Sequence, residues 1–256
     1  MGIDVGSACS KCVVLTTARE IAGDAVIFAG AGTGGPDRAM AAALEKAGAD
    51  RSRILRTAAT GYGRKLLENA GLKVSEVSCH AKGAAYLFPG VRTVIDIGGQ
   101  DAKAILLDAD GRLVNFVMND KCAAGTGRFL EVMARILDRS LEEMSDLDLK
   151  ARCAAVISSA CTVFAESEVI SQLSAGTPAA ELVAGINRSA AARAASLAKR
   201  LGVFPPICMT GGVAGNGGVR RAMEKELAAE ILYSPLSQLA GALGAALYAA
   251  DDRAAK

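Results

Sequence analysis

One pattern recurs in this 256-residue chain and limits what it can fold into. A strand-like run ending in Asp, one apolar residue and Gly occurs at Gly2-Ile-Asp4-Val-Gly6-Ser7. It returns about 90 residues later at Val94-Ile-Asp96-Ile-Gly98-Gly99. Strand-like runs follow each copy, at 12–17 and 25–30 after the first and at 105–108 and 113–118 after the second. The last two are split by the turn Asp108-Ala-Asp-Gly111. The same order twice reads as an internal duplication. Each half then continues into helical patterns, so the chain is expected to be α/β, with two βββαβα lobes covering 1–90 plus 238–256 and 91–237. Further along the chain, the patterns predict helices over 37–49 and 80–88 and strands over 54–60 and 74–78.

The recurring motif has a chemical reading. Gly after the strand end lets a tight turn approach an anion closely, and the exposed N–H groups of such a turn hold phosphate oxygens. Asp4 and Asp96 at the strand ends are placed to hold a hydrated Mg²⁺. Either motif alone also suits an ordinary hairpin turn. Two matched copies, with a third glycine loop at Gly211-Gly212-Val-Ala-Gly-Asn216, favour a nucleotide site. That loop lacks the G-x-G-x-x-G spacing of a dinucleotide fold, and no phosphate loop ending in Gly-Lys-Ser/Thr is present.

Composition removes other classes. His80 is the single histidine, which excludes a His-rich zinc site or a His–His acid/base pair. A net charge of +2, without a Lys/Arg run, argues against a nucleic-acid partner. The longest apolar stretch, 239–250, is shorter than the ~18 residues of a membrane span and is interrupted by Gly241 and Gly244. With no signal-peptide pattern either, a soluble cytoplasmic protein without a membrane partner is expected.

The seven cysteines are an odd, scattered set, unlike a disulfide scaffold. Cys9 and Cys12 form one C-x-x-C that lacks the second pair of a zinc ribbon. Cys79, Cys153 and Cys208 lie among small or apolar residues and are expected to be buried. Cys122 and Cys161 each read as standing directly before a helix, Cys122 with Gly125 and Gly127, Cys161 with Ser158 and Ser159. A thiolate gains there from unpaired N–H groups and the positive dipole end. Two thiolates fall short of the four an iron–sulfur cluster takes, and a symmetric dimer would supply four. Buried structural thiols remain the alternative.

Gly2-Ile-Asp-Val-Gly-Ser, Thr60-Gly-Tyr-Gly-Arg, Val94-Ile-Asp-Ile-Gly-Gly-Gln-Asp, Asn119-Asp-Lys-Cys-Ala-Ala-Gly-Thr-Gly-Arg-Phe, Thr162-Val-Phe-Ala-Glu-Ser-Glu-Val-Ile-Ser and Met209-Thr-Gly-Gly-Val-Ala together resemble the activator components of 2-hydroxyacyl-CoA dehydratases. These share a family with the ATPase subunits of benzoyl-CoA reductase, within the actin-like ATPases. The resemblance spans the chain, and its cysteine-containing blocks are its most specific part. It implies an actin-like fold with a nucleotide cleft, and an ATPase that passes an electron from ferredoxin or flavodoxin to the dehydratase. A single 4Fe–4S cluster held by Cys122 and Cys161 of both subunits of a homodimer would carry that electron.

By the same resemblance, Gly6, Ser7, Ala8, Cys9, Ser10 and Lys11 form the first phosphate segment, and Asp4 and Asp96 serve Mg²⁺. Gly98, Gly99 and Gln100 meet the terminal phosphates, and Gln100 or Asp101 orients the attacking water. Gly211, Gly212, Val213 and Asn216 line the adenosine pocket, with Gln238 as a further adenine contact. Two departures stand out. Ala8 replaces the usual Thr and removes a hydroxyl, and only Met1 precedes the first Gly, so a short first strand is expected. His80 reads as a helix-start hydrogen-bonding residue. The alternatives are the benzoyl-CoA reductase ATPase role, a small-molecule kinase on the same fold with Asp101 as base and no cluster, and a chaperone-like nucleotide switch.

Overall fold

The computed structural model describes residues 1–158 and 161–254. They fall into two compact units, the first comprising Met1–Val91, Leu107–Val114 and Ser234–Lys256, the second Arg92–Leu106 and Asn115–Tyr233.

The first unit is built on a five-stranded sheet in the order β3-β2-β1-β4-β5. Its strands are β1 (Gly2–Val5), β2 (Ser10–Leu15), β3 (Ile21–Ile27), β4 (Ala58–Thr60) and β5 (Leu72–Lys73), and its helices α1 (Gly35–Lys46), α2 (Glu76–Leu87) and α8 (Ala240–Ala254). β1 runs antiparallel to β2 and parallel to β4. The period-2 alternation of strand side chains explains how both faces are covered. Cys12 and Val14 pack with Ala39, Met40 and Ala43 of α1, whereas Val13 packs with Ala242, Leu243 and Ala246 of α8. A strand covered on both faces reads as a continuous apolar run, and β1 is buried throughout. α2 and α8 approach backbone to backbone, because a Cβ on Gly244 would overlap the Cys79 carbonyl.

The second unit repeats this plan, with sheet order β10-β9-β6-β7-β8. Here β6 (Thr93–Ile97) is antiparallel to β7 (Ala102–Leu107) and parallel to β9 (Ile207–Thr210), followed by β8 (Leu113–Asn119) and β10 (Ile231–Leu232). Its helices are α3 (Gly127–Ile136), α4 (Leu141–Leu147), α5 (Thr162–Ser174), α6 (Ala179–Leu201) and α7 (Gly217–Leu227). Phe129, Met133, Met144, Leu182 and Ile186 fill its core with Ile95 and Ile97. In both units a central strand carries an antiparallel partner on one side and a parallel one on the other. The duplication is thus one of topology, and β5 and β10 add a fifth strand to each copy of the expected pattern.

Several local expectations are corrected. The strand expected over 54–60 shrinks to β4, because Asp50 accepts from the Ser52 N–H (2.8 Å) and turns residues 51–53 into a 3₁₀ segment. The strand expected over 74–78 gives way to α2, because Ser75 caps it by accepting from the Ser78 N–H (3.2 Å). His80 is consequently the fifth residue of α2 and is buried, not a residue of the helix start. None of the described helices is long and apolar enough to cross a membrane.

Candidate functional site

In the first unit Asp4 closes β1 opposite Lys11 of β2, and both side chains are buried. The Lys11 ammonium donates to Asp4 Oδ2 at 3.1 Å. Such a pair is stable only because each charge compensates the other. The turn between them is closed by the Gly6 N–H donating to the Cys9 carbonyl (3.0 Å) and braced by the Ala31 N–H donating to the Gly6 carbonyl (2.9 Å). Ser7 and Ala8 are exposed at its tip, while Ser10 is buried and donates its hydroxyl to the Ala29 carbonyl (2.7 Å). Ser10 therefore serves the turn, leaving Ser7 as the turn's exposed hydroxyl. Cys9 is half-buried and hydrogen-bonded through its thiol to Gln238 and Lys11; burial pushes the thiol above its ordinary range, the Lys11 ammonium opposing. Gln238 thus belongs beside the first turn.

The second unit repeats this construction at one fixed offset: 92 residues separate Asp4 from Asp96, Gly6 from Gly98 and Lys11 from Lys103. Asp96 faces Lys103 across β6–β7, with Lys103 Nζ 3.2 Å from Asp96 Oδ2 and 2.8 Å from Asp101 Oδ2. The Gly98 N–H donates to the Asp101 carbonyl (2.9 Å), the counterpart of the Gly6–Cys9 bond. The parallel strands match as well. Thr60 lies beside Asp4 and Thr210 beside Asp96, and each is followed by a glycine at φ +85°. A Cβ on Gly61 would overlap Asp4 Oδ1, and one on Gly211 would lie 2.8 Å from Asp96 Oδ1.

The two carboxylates are not equivalent. Asp96 receives the Thr210 hydroxyl on Oδ1 (2.9 Å) and Lys103 on Oδ2. Asp4 Oδ1 is buried with no hydrogen-bond partner among the described residues. A buried, unpartnered carboxylate oxygen at the end of a phosphate-type turn fits a cation or its water shell. Lys103, Thr60, Gly61 and Thr210 were not singled out as site residues by the sequence. The signal for Lys103 was the offset itself, which pairs it with Lys11.

In the third glycine loop Gly211 follows β9, Gly212 is exposed and Val213 is buried. Asn216 caps α7, its Oδ1 accepting from the Val219 N–H at 3.0 Å, which leaves its amide nitrogen free of that bond. Gln100 is exposed at the tip of the second turn.

Cys122 and Cys161 are both exposed and both lie in the second unit. Cys161 stands directly before α5 as its N-cap, with no side-chain capping hydrogen bond. Glu168 of α5 accepts from the N–H of Ser158 (3.0 Å) and from its hydroxyl (3.0 Å), which ties Ser158 to that helix. Ser159 lies outside the described residues. The expectation for Cys122 is corrected: α3 begins only at Gly127, and Cys122 occupies a turn five residues earlier, its carbonyl accepting from Asn119 Nδ2 at 3.2 Å. The start of α3, five residues beyond Cys122, is tied to the second phosphate-type turn, since the N–H groups of Gly127 and Arg128 donate to the carbonyls of Gly98 (2.9 Å) and Gly99 (2.8 Å). Gly127 packs closely there, since a Cβ would lie 3.2 Å from the Gly98 oxygen.

The other cysteines divide differently from the sequence expectation. Cys12, Cys79 and Cys208 are buried, and burial pushes the Cys12 and Cys79 thiols up to about 12 and Cys208 upward too. Cys153, expected to be buried, is exposed because the chain after α4 and the 3₁₀ turn at Asp148–Lys150 runs along the surface; a hydrogen bond to Glu181 raises its thiol pKa. In iron-free protein at about pH 8, Cys122 and Cys161 are expected to alkylate readily, Cys153 more slowly and the three buried thiols hardly at all. Peptide mass spectrometry reads the order, and uniform labelling of all seven would contradict it.

The profile of the BadF/BadG/BcrA/BcrD ATPase family matches residues 1–249. The (R)-2-hydroxyglutaryl-CoA dehydratase activating ATPase of Acidaminococcus fermentans is 53% identical over 250 residues, which cover 97% of this chain and 96% of that protein. The activator of the 2-hydroxyisocaproyl-CoA dehydratase from Clostridium difficile, solved with bound ADPNP, superposes with a TM-score of 0.96. It is 49% identical, over 99% of this chain and 95% of the other. A ROK family glucokinase from Streptomyces griseus shares the fold alone, at 17% identity and a TM-score of 0.59, over 98% of each chain. The fold is that of the actin-like ATPases.

Proposed function

Because this chain belongs to the BadF/BadG/BcrA/BcrD ATPase family, we propose that it is an ATP-dependent activator of a 2-hydroxyacyl-CoA dehydratase, coupling ATP hydrolysis to delivery of one electron. Cys122 and Cys161, with the same two residues of a second copy, would hold a 4Fe–4S cluster, which supplies the one-electron chemistry. Their fit rests on exposure: both thiols are at the surface, and Cys161 spends no capping bond on its own helix. Asp4, with its unpartnered Oδ1, and Asp96 are the carboxylates for Mg²⁺. The turns at Gly6–Ser10 and Gly98–Asp101 bind the phosphates through backbone N–H groups, which compensates for the hydroxyl missing at Ala8. Gly211, Gly212 and Val213 receive the adenosine. Gln100 or Asp101 orients the attacking water. Ferredoxin or flavodoxin supplies the electron, and a reducing cytoplasm suits a chain with seven free thiols.

One observation carries the coupling. The second phosphate turn and the start of α3, five residues after Cys122, share two backbone hydrogen bonds, Gly127 to Gly98 and Arg128 to Gly99. A γ-phosphate that shifts the first therefore bears directly on the second, a two-state linkage of the kind that lets hydrolysis bias a remote group.

Anoxic purification tests the reading. A brown dimer with about four irons is expected, and it should reduce a dehydratase component only when ATP and a reduced donor are both present. A colourless, iron-free protein that phosphorylates a sugar or carboxylate would establish the kinase alternative instead.

A further inference from the structure

We infer that Lys103 is a positioning residue for ATP hydrolysis, holding the Asp101 carboxylate at a fixed place in the second phosphate turn. The inference rests on the proposed reading of Asp101 as a group that orients the attacking water. Lys103 lies in β7 with a side chain only 1% exposed, so its ammonium is out of reach of a phosphate and acts through its neighbours. It bridges two carboxylates, Asp96 at 3.2 Å and Asp101 at 2.8 Å. Asp101 is different in kind: its side chain is 25% exposed, at the boundary between the buried lysine and the turn.

Two hydrogen bonds hold Asp101: its Oδ2 accepts from Lys103, and its carbonyl accepts from the Gly98 N–H at 2.9 Å. Its Oδ1 lies against Gly98, where a Cβ would overlap it. A carboxylate anchored through one oxygen in a closed turn has few orientations, which is the requirement for a group that aims a water. In the hydrolysis, the water oxygen bonds to the γ-phosphorus and the bond to the β–γ bridging oxygen breaks. ADP leaves, one water proton ends on the released phosphate, and the other passes to solvent. Asp101 accepts a hydrogen bond from that water, and Lys103 keeps Asp101 where it can.

The duplicate supplies a control inside the same chain. Lys11 occupies the matching position and pairs with Asp4, and Cys9 stands where the second turn has Asp101. Compensating one buried aspartate therefore requires nothing at the Asp101 position. The second copy adds a carboxylate, Asp101, on the same lysine, Lys103.

The test compares Lys103→Met, Lys103→Arg, Asp101→Asn and the Asp101→Asn/Lys103→Met double variant in the full chain. Readouts are kcat and KM for ATP, the Kd of ADP by calorimetry, and thermal unfolding. Lys103→Met is expected to lower kcat about 100-fold with the ADP Kd within about threefold of the parent. The double variant should be no slower than Asp101→Asn alone, because both changes remove one function. If Lys103→Met does not fold, Lys103→Arg decides. It keeps the charge but not the position, so kcat should fall about tenfold with ADP affinity unchanged. An impaired Asp101→Asn beside a Lys103 variant at parental kcat overturns the inference, as do losses that multiply in the double variant. An Asp101→Asn enzyme at the parental rate overturns the reading of Asp101 on which the inference rests.

Discussion

Cys122→Ser and Cys161→Ser are each expected to take iron from about four per dimer to near zero, with the visible absorption lost in step. A serine hydroxyl is a hard, weakly acidic donor and does not replace a soft thiolate on iron. The loss should be nearly complete for either change, because a two-fold axis removes two of the four ligands at once. Both side chains are exposed, so unfolding should shift by no more than about 0.5 kcal/mol. ADP binding should persist, since neither cysteine belongs to the phosphate turns. Cys153→Ser, equally exposed, should keep its iron. Full iron in either of the first two variants, or iron lost from all three, would sink the proposed ligand set.

The second large effect concerns folding of the site. Gly61→Val and Gly211→Val should each destabilise the protein by about 3 kcal/mol or more, and the nucleotide affinity of whatever folds should collapse. Both glycines sit at φ +85°, a conformation that costs an L-residue about 1–2 kcal/mol and a β-branched one more. The side chain would also meet backbone: a Cβ at Gly61 would lie 2.6 Å from the Val5 carbonyl oxygen and overlap Asp4 Oδ1, and one at Gly211 would overlap the Ile97 carbonyl. These are strand ends in a sheet core, where backbone cannot yield. Denaturant unfolding of each variant measures the cost, and a midpoint unchanged in both would refute it. Matching losses at 61 and 211 would also show energetically that the two units repeat one design.

Much of this was legible in the sequence for a definite reason. The Asp-x-Gly turns lie between buried strands, where burial on both faces enforces continuous apolar runs and leaves the polar end residues conspicuous. The duplication was visible for the same cause. Helix starts were less legible. Cys122 reads like a residue in front of a helix, yet Thr126 takes the N-cap position and the N–H groups after it are claimed by Gly98 and Gly99, a tertiary link no local pattern announces. Lys103 was passed over because lysine in a strand ordinarily reads as a solvent-facing residue; only its two carboxylates, one of them two residues away, make its burial affordable. Cys153 misled in the opposite sense, since small neighbours signal burial only when the backbone enters the core.

If Cys122 and Cys161 hold a cluster as proposed, the Glu181 carboxylate beside Cys153 bears on how that cluster would be loaded. Iron is captured by thiolates, and exposure alone would make Cys153 a third claimant beside Cys122 and Cys161. The neighbouring carboxylate favours the protonated thiol and so withholds the form that iron and disulfide exchange both require. On the proposed reading of Cys122 and Cys161 as ligands, Cys153 would then be the weaker claimant for iron. Fidelity in building such a centre would then depend on what silences the wrong cysteine as much as on what presents the right ones.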